Sequence, residues 1–357
     1  MRAGPSIPVG RSLVSSPGMS AQRTGGEAIP EGPILVPGGA GYIGSHFVRR
    51  LERLGVPVVV LDNLSTGHRA SVRAPLEEVD LGDRERLAGV FARHKPAAVV
   101  HFAAKCYVGE SVTEPSKYYR ENVIHTWNLL EAMRAQSCRD IVFSSTAATY
   151  GEPRESPIPS HHPQNPINPY GRTKLHMEHM MQDYARAYGL RTAALRYFNA
   201  AGAMPEENLG EDHEPETHII PLVLGVALGK RKAISIFGGD WPTRDGTCER
   251  DYIHVSDLAD AHVRALVALQ GGARELACNL GTGQGYTVKE LVELARKVTG
   301  HAIPAEVVAR RPGDPGVLVA DGSRAKELLG WTPQRSSLEQ ILRDSWEFHR
   351  AHPKGYA

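Results

Sequence analysis

A tyrosine and a lysine four residues apart are the side chains with the clearest chemical potential in this 357-residue sequence. Tyr170 and Lys174 belong to the run Tyr-Gly-Arg-Thr-Lys, and in a helix this spacing places both on one face. A phenol has an ordinary pKa near 10, so it acts as a base at neutral pH only where nearby positive charge favours the phenolate. With 12 Tyr and 41 Lys plus Arg, about one such pair is expected by chance. The alternative interpretation is an exposed helix face, so the pair needs support from elsewhere in the chain.

Hydroxyl side chains before the pair offer that support. Ser144, Ser145 and Thr146 follow an apolar run at 141–143 that is typical of a buried strand. Parallel α/β sheets bind their ligands at the carboxyl ends of their strands. A hydroxyl at that place can hydrogen-bond a substrate oxygen that changes between alkoxide and ketone. Without Tyr170 and Lys174, ordinary capping of the strand end would be the better interpretation.

A glycine-rich turn follows the first predicted strand. Gly39, Gly41 and Gly44 satisfy the pattern G-x-G-x-x-G. Gly38, Gly41 and Gly44 satisfy the looser pattern G-x-x-G-x-x-G. Without Cβ atoms the backbone can approach a pyrophosphate at the positive N-terminus of the next helix. The pattern is weak by itself in a chain with 36 glycines, but it lies between a strand and a helix and precedes Asp62 by about 20 residues. An Asp62 carboxylate would bind the adenosine ribose and repel a 2′-phosphate, which favours NAD over NADP.

Two nearby features qualify this prediction. Pro37 lacks a backbone N–H, so we expect it only at the end of its strand. The glycines of 281–285 form a second candidate turn, but no long strand with an acidic partner follows them. We therefore interpret 281–285 as a loop.

Short runs rich in Val and Ile alternate with helical patterns from residue 34 onwards. The predicted strands cover 34–36, 58–61, 97–102, 141–143 and 192–195, and the predicted helices 42–54, 84–93, 115–137 and 168–188. Asn168 is the expected N-cap of the last helix, with Pro169 as its first residue. This alternation predicts an α/β fold: a Rossmann-type doubly wound parallel sheet with Tyr170 and Lys174 on a helix against it.

The alternation loosens after about residue 200. Loops are expected at 203–216 and 238–250, and helices at 217–229, 256–269, 287–299 and 337–350. We expect an NAD-binding Rossmann domain over 33–200 and a smaller α/β substrate domain over 201–357, with some segments returning to the first domain. Residues 1–32, rich in Gly, Pro and Ser, are expected to be a disordered extension, with Met19 as an alternative start.

The composition excludes several classes of protein. The formal net charge is +1, which leaves no basic excess for nucleic acid or for an anionic membrane. No stretch approaches 18 consecutive apolar residues, so a transmembrane protein is excluded. Cys106, Cys138, Cys248 and Cys278 are far apart without a C-x-x-C pair, which argues against disulfides and a structural zinc site. A cytoplasmic protein is the simplest expectation.

These motifs together resemble the extended short-chain dehydrogenase/reductase family, and within it the epimerases of UDP-hexoses. The resemblance covers nearly all of the chain from residue 34 onwards. It rests on the following runs: Gly38-Gly39-Ala40-Gly41-Tyr42-Ile43-Gly44, Leu61-Asp62-Asn63, His101-Phe102-Ala103-Ala104, Val108-Gly109-Glu110-Ser111, Tyr170 with Lys174, Arg196-Tyr197-Phe198-Asn199 and Arg250-Asp251-Tyr252-Ile253-His254-Val255.

The resemblance implies a role for each matching residue. Tyr170 is the implied acid and base, Lys174 its electrostatic partner and a ligand of the cofactor ribose, and Thr146 the hydroxyl that binds substrate. The implied NAD contacts, besides Tyr170 and Lys174, are Gly38, Gly41, Tyr42, Ile43, Gly44, Asp62, Asn63, Asp80, Leu81, Phe102, Ala103, Ala104, Asn122, Ser144 and Tyr197. The implied sugar-nucleotide contacts, besides Thr146 and Tyr170, are Phe198, Asn199, His218, Ile219, Ser235, Ile236, Phe237, Arg250, Arg311, Asp314 and Leu318. Arginines suit a diphosphate. Cys106 departs from the family at a position where some relatives carry Lys.

The reaction implied by the resemblance interconverts UDP-galactose and UDP-glucose. A hydride leaves C4 of the sugar for tightly bound NAD while Tyr170 takes the O4 proton, and both return after the 4-keto sugar turns over. The alternative is a 4-epimerase of another UDP-sugar, a UDP-N-acetylhexosamine or UDP-pentose. Leu318 matches a position whose size governs whether an N-acetyl group fits, and its intermediate size predicts some tolerance of that group. The family also implies a homodimer formed through 115–137 and 168–188.

Three other functions are weaker interpretations. A 4,6-dehydratase of the same family needs an Asp-Glu pair after the strand threonine, and this chain has Ala147 and Ala148 there. A catalytically silent NAD-binding protein would not need the Tyr, Lys and Thr of the catalytic set. A metal enzyme is suggested by His161-His162 and by His176 with His179, but no carboxylate or cysteine cluster accompanies them. We therefore expect no metal site.

Overall fold

The computed structural model describes residues 29–311 and 315–356. Its strands are β1 (Ile34–Pro37), β2 (Val58–Asp62), β3 (Leu76–Glu78), β4 (Ala98–His101), β5 (Asp140–Thr146), β6 (Arg191–Tyr197), β7 (Asn199–Ala201), β8 (Ile234–Phe237), β9 (Glu249–Arg250), β10 (Tyr252–His254), β11 (Glu275–Leu280), β12 (Tyr286–Thr287), β13 (Ala305–Val308) and β14 (Val317–Leu318). Its α-helices are α1 (Tyr42–Arg53), α2 (Arg84–His94), α3 (Val108–Thr113), α4 (Pro115–Tyr118), α5 (His125–Ala135), α6 (Pro169–Tyr188), α7 (Ile219–Ala227), α8 (Val255–Gln270), α9 (Val288–Thr299), α10 (Ser323–Leu329) and α11 (Leu338–Ala351). Residues 1–28 of the expected extension lie outside the described residues. Ile29 packs against the core.

Seven parallel strands form the central sheet in the order β11-β6-β5-β4-β1-β2-β3. The strand order reverses direction between β1 and β4, and sheets of this kind bind ligands in the crevice at that switch point. The Rossmann-type doubly wound sheet predicted from the sequence is confirmed. Pro37 ends β1, as expected, and its carbonyl accepts from the N–H groups of Phe102 and Ala103 at 2.8 and 3.0 Å.

The alternation of side chains along each strand covers both faces of the sheet. In β1, Ile34 and Val36 pack with α1 and α8 on one face, while Leu35 packs with α2, α5 and α6 on the other. All four β1 residues are buried, as a parallel strand between two helical layers requires. The continuous apolar runs in the sequence follow from this double covering.

The helix that carries the tyrosine and lysine begins and ends where the sequence predicts. The side chain of Asn168 accepts a hydrogen bond from the N–H of Gly171 at 2.8 Å, and Pro169 is the first helical residue. Gly189 ends α6 in the left-handed conformation with φ +73°. The expected N-cap is therefore confirmed.

The helix expected over 115–137 differs in its middle. A π-helical segment, Tyr119–Ile124, separates α4 from α5. It contains Asn122, which is fully buried and faces the loop around Lys105. The wider turn is a local adjustment that periodicity in the sequence does not reveal.

The second half of the chain contributes to two cores. β11 pairs with β6 at one edge of the central sheet, and α8 packs against α1. The other elements surround a separate core in which α7, α9 and α11 pack together. Three small sheets complete this part, with the orders β10-β7, β12-β9-β14 and β13-β8. None of the helices in 29–311 and 315–356 is long and apolar enough to span a bilayer.

Candidate active site

A cleft of about 1230 Å³ lies at the carboxyl ends of the central strands. Its wall contains residues from the turn after β1 and residues as distant in sequence as Leu318 in β14. The cleft therefore joins the switch point of the sheet to the elements of the second half.

The glycine turn after β1 brings backbone close to backbone. Gly38 has φ +80°, and a Cβ there would lie 2.4 Å from the N atom of Ala103. A Cβ on Gly44 would lie 2.1 Å from the carbonyl oxygen of Gly38. Gly41 precedes α1 without any side-chain cap, so the first amides of this helix are available to an anion in the cleft. The turn fits a pyrophosphate.

Asp62 ends β2 beside this turn and is 8% exposed. Its two carboxylate oxygens accept from the N–H groups of Ala40 and Leu64 at 3.0 and 2.9 Å. Burial raises the pKa of Asp62, and these two amide hydrogen bonds oppose the rise. Asn63 donates to Asp80 Oδ2 at 2.5 Å on the same rim of the cleft. The carboxylate is thus held where the ribose of a dinucleotide would lie.

Tyr170, Lys174 and Thr146 meet at the end of β5. Their exposed fractions are 9%, 3% and 8%, and all three line the cleft. Burial raises the pKa of Tyr170 well above its usual value, while a hydrogen bond with Thr146 lowers it. Thr146 Oγ1 also accepts from the N–H of Ala148 at 3.2 Å, so the threonine caps the strand end as well.

The Lys174 ammonium lies between strand and tyrosine. Its Nζ donates to the carbonyl oxygen of Ser144 at 2.9 Å and lies 4.8 Å from the ring of Phe143. It is 6.0 Å from the ring centroid of Tyr170. Burial lowers the pKa of Lys174 to about 8, which still leaves the ammonium charged at neutral pH. The charge is therefore available to stabilise a phenolate on Tyr170.

The remaining residues with an implied cofactor role lie around these groups, with one exception. Ser144 Oγ and the Tyr197 hydroxyl are hydrogen-bonded to each other in the wall of the cleft. Leu81, Phe102, Ala103 and Ala104 also line it. Asn122 does not line the cleft.

Asn122 is instead buried behind the cleft wall. Its amide accepts from the N–H of Lys105 at 2.8 Å and donates to the Lys105 carbonyl and to Thr173 Oγ1, both at 3.0 Å. These contacts tie the loop after β4 to the helix of Tyr170 and Lys174. Asn122 thus positions the wall from behind.

The other side of the cleft carries most of the residues with an implied substrate role. The wall includes Phe198, Asn199, His218, Ile219, Ser235, Phe237, Arg250, Arg311 and Leu318. The Arg311 guanidinium lies 4.1 Å from the centroid of the Phe237 ring, and Leu318 pairs with Arg250 between β14 and β9. Ile236 is buried in β8 and does not line the cleft. Asp314 lies outside the described residues.

A buried ion pair that sequence reasoning did not single out supports the catalytic strand. Arg196 Nη2 is 2.6 Å from Glu178 Oε2, and the two residues are 4% and 2% exposed. Glu178 also accepts from Ser145, and Arg196 donates to the Tyr150 hydroxyl at 3.0 Å. The network joins β5, β6 and α6. The only signal in the sequence is Arg196 in the run Arg-Tyr-Phe-Asn.

Asp251 is a second buried charged residue that supports the site, and it binds the glycine-rich segment 281–285. This segment forms a loop, as expected. The Asp251 carboxylate accepts from Thr282 Oγ1 at 2.7 Å and from the N–H groups of Gly283 and Ala320, both at 3.2 Å. A Cβ on Gly281 would lie 2.6 Å from Asp251 Oδ2. Gly281 therefore allows close packing against a buried carboxylate.

Known proteins resemble this chain over most of its length. The family described as the NAD dependent epimerase/dehydratase family matches residues 34–281. The chain belongs to this family. The resemblance to the extended short-chain dehydrogenases/reductases is confirmed, and the family is NAD-dependent, as the glycine turn and Asp62 predict.

Individual members of the epimerase/dehydratase family are similar to this chain in sequence and in structure. A UDP-glucose 4-epimerase of Halalkalibacterium halodurans is 50% identical over 325 residues, which are 91% of this chain and 97% of the relative. The crystal structure of a UDP-glucose 4-epimerase from Brucella ovis in complex with NAD has a TM-score of 0.86 at 50% identity, covering 88% of this chain and 97% of that one. The UDP-Glc/GlcNAc 4-epimerase of Campylobacter jejuni has a TM-score of 0.80 at 40% identity, covering 90% and 99%.

Within this family, the alternative activities find less support in the site. Ala147 and Ala148 both line the cleft, so the positions of the dehydratase acid and base carry methyl groups. His176 and His179 are exposed on α6. Neither of them belongs to a group of three or more candidate metal ligands among the described residues.

Proposed function

We propose that this chain is an NAD-dependent 4-epimerase of UDP-hexoses that interconverts UDP-galactose and UDP-glucose. The observation that carries the proposal is the grouping of Tyr170, Lys174 and Thr146 in one cleft with the uncapped glycine turn on one side and Arg250 and Arg311 on the other. One side suits a dinucleotide and the other a second diphosphate. Residues 33–200 bind the cofactor in this proposal, and 201–357 supply most of the sugar-nucleotide contacts.

The chain's own groups handle the proton of the sugar O4 hydroxyl. Thr146 hydrogen-bonds O4, and the Tyr170 phenolate takes its proton while the C4 hydrogen leaves with its electron pair. Lys174 stabilises the phenolate by its charge. Bound NAD supplies the acceptor, and afterwards the donor, of that C4 hydrogen.

Inversion at C4 requires the 4-keto sugar to turn within the cleft. The arginines hold the diphosphate while the sugar presents its other face, and Tyr170 then returns the proton to O4. Neither the protein nor the cofactor changes over a full cycle. No second substrate is therefore needed to reoxidise the cofactor, which can stay bound between cycles.

The size of the sugar pocket bears on the choice among UDP-sugars. Leu318 packs with Ala147 and Phe198 against the catalytic end of β5. A leucine leaves more room there than a tyrosine would. We propose that UDP-glucose and UDP-galactose are preferred and that N-acetylated sugars are tolerated. The Campylobacter jejuni relative supports this proposal, because it is named as a UDP-Glc/GlcNAc 4-epimerase.

The experiment is incubation of the purified protein with UDP-galactose and no added NAD, followed by separation of the products. UDP-glucose is the expected product. Tyr170→Phe should lower kcat by about 10²–10⁴-fold, because general acid and base catalysis contributes this much. Tyr184→Phe is the matched control, since Tyr184 lies on the same helix and donates to Glu131 away from the cleft. Undiminished epimerisation by Tyr170→Phe, or a 4-keto-6-deoxy product, would refute the proposal.

A homodimer through α4, α5 and α6 is the proposed assembly. Tyr119, Ile124, Trp127 and Tyr188 are 37–53% exposed on this surface, whereas the inward residues of α5 and α6 belong to the core. Sedimentation should give a dimer for the wild type and a monomer for Ile124→Glu. Val307→Glu changes an exposed valine in β13 and should remain dimeric.

A cytoplasmic location remains part of the proposal. The four cysteines are free, and Cys138, Cys248 and Cys278 are buried. Free buried thiols are typical of a reducing compartment. Fractionation of cells that express the native gene is the direct measurement.

A further inference from the structure

Four potential metal ligands converge in the segment 211–218, directly before α7. Its sequence is Glu-Asp-His-Glu-Pro-Glu-Thr-His. The donor atoms of Glu211, His213, Glu216 and His218 all lie within 4.8 Å of one another. Two of these side chains are imidazoles and two are carboxylates. The spacing matches neither adjacent histidines nor a cysteine pair, which is why the sequence alone predicts no metal site here.

The distances between these atoms match the edges of a small coordination polyhedron. His218 Nδ1 lies 2.9 Å from Glu211 Oε1 and 3.0 Å from Glu216 Oε1. His213 Nδ1 lies 3.3 Å from Glu211 Oε1 and 3.6 Å from Glu216 Oε2. Zinc bonds of about 2.1 Å to nitrogen and oxygen give tetrahedral edges of about 3.4 Å. The four separations, 2.9–3.6 Å, lie on both sides of that value, with Glu216 facing one imidazole through Oε1 and the other through Oε2.

Hydrogen bonds alone leave this arrangement incomplete. Each Nδ1 can carry one proton, yet each faces two carboxylate oxygens. His213 Nδ1 is buried and makes no hydrogen bond, although Glu211 Oε1 is only 3.3 Å away. A buried ring nitrogen that lies within 3.6 Å of two carboxylates without a hydrogen bond to either is suited to binding a cation. Glu211 is 5% exposed, so its charge requires a cationic partner, which either a divalent ion or the protonated rings of His213 and His218 can supply.

We propose that Glu211, His213, Glu216 and His218 form a structural Zn²⁺ site. Two neutral imidazoles and two carboxylates balance the charge of a divalent ion. Mixed nitrogen and oxygen ligands in a tetrahedron favour zinc, whereas magnesium and calcium prefer oxygen ligands in larger shells. Four protein ligands leave no open position, which is typical of a structural rather than a catalytic zinc.

The ion would fix one wall of the catalytic cleft. His218 is the residue that precedes α7, and it lines the cleft together with Ile219. The His213 ring also lies 6.2 Å from the ring of Tyr42, the first residue of α1. A bound ion would therefore hold the start of α7 close to the glycine turn.

Metal content of the full-length protein tests the site directly, without any nucleotide sugar. The protein is stripped with a chelator, reconstituted with Zn²⁺, dialysed and analysed by mass spectrometry for zinc per chain. Reconstitution with Co²⁺ gives a second readout, because the visible absorption of Co²⁺ reports tetrahedral coordination by nitrogen and oxygen. His213→Gln and Glu216→Gln each remove one ligand. His176→Gln with His179→Gln is the matched control, since it removes two exposed imidazoles elsewhere.

The expected result is one zinc per chain in the wild type and in the control. The ligand variants should bind at least about tenfold more weakly, because loss of mere outer partners of a zinc site already costs 10–100-fold. No zinc retained by the wild type would overturn the proposal and leave an imidazolium–carboxylate cluster. Zinc retained equally by His213→Gln and Glu216→Gln would also overturn it and would direct attention to the looser group of Asp80, Glu121 and His125. Circular dichroism confirms that each variant is folded.

Discussion

The charge of Lys174 should control how readily Tyr170 becomes a base, and Lys174→Met removes that charge with little change in side-chain length. The ammonium lies 6.0 Å from the centroid of the Tyr170 ring, and Lys174 is 3% exposed. With this distance taken as the separation of the two charges and an effective dielectric constant of about 20, the ammonium and a phenolate attract by about 2.8 kcal/mol. Loss of that attraction lowers the population of phenolate about a hundredfold. We expect kcat at pH 7 to fall by that factor.

The dependence on pH separates this effect from simple damage to the site. Burial lowers the pKa of Lys174 to about 8, so the wild type loses the charge as the pH rises above that value. The ratio of wild-type to variant kcat should therefore be constant below pH 8 and decrease above it. Formation of UDP-glucose from UDP-galactose is measured from pH 6 to 10, with retained NAD determined on denatured protein.

Lys105→Met is the matched control for this experiment. Lys105 also lines the cleft, but its Nζ donates to Ser65 Oγ at 3.2 Å. The pH profile of Lys105→Met should keep the shape of the wild-type profile, whatever its amplitude. A Lys174→Met deficit of equal size at pH 7 and pH 10 would refute the electrostatic argument. Lys174 would then act only by holding the carbonyl of Ser144 and the cofactor.

Three further predictions concern stability and specificity. Glu178→Gln should lower the free energy of unfolding by about 3–5 kcal/mol, because it leaves the buried Arg196 charge without its partner. Urea titration measures this loss, and the control Glu131→Gln at the surface should cost under about 1 kcal/mol. Equal losses in the two variants would contradict the prediction. Burial lowers the pKa of His262 to about 4 from 6.5, so the unfolded chain binds its proton first as the pH falls below 6.5 and stability is lost. At about 1.36 kcal/mol per pH unit, His262→Phe should lose about 2 kcal/mol less than the wild type between pH 7 and pH 5, and identical pH profiles would count against this. Leu318→Tyr should lower kcat/KM for UDP-N-acetylglucosamine about 10–200-fold, which is the range that one misfitting group costs in a pocket. Its kcat/KM for UDP-galactose should be unchanged. Equal inactivity of the wild type and Leu318→Tyr on UDP-N-acetylglucosamine would contradict the proposed tolerance of the N-acetyl group.

The first half of the fold follows from the sequence because its signals are local. Asn168 and Pro169 fix the start of α6 within one turn, and each of the early strands is a buried run with its own boundaries. The glycine turn and Asp62 are predictable for the same reason, since α1 and β2 between them set their separation.

The rest depends on contacts between distant segments. β11 is a strand because it pairs with β6, and β3 is a three-residue edge strand with little apolar character. Asn122 lies behind the cleft in a π-helical segment and is hydrogen-bonded to Lys105, which is distant in sequence. His213 and Glu211 converge through the path of a loop, which has no periodicity to reveal it.

The pairing of β11 with β6 also governs how this chain can be divided. β11 follows β6 by about 80 residues, and those residues include α7 and most of the sugar-nucleotide wall. A fragment that ends near residue 200 would present β6 as an open edge and would lack α8, which covers α1. During synthesis the last strand of the sheet can add only after residue 280 has been made. We therefore expect the cofactor half to fold poorly by itself, and fusions or split versions of this protein should keep the chain intact through β11.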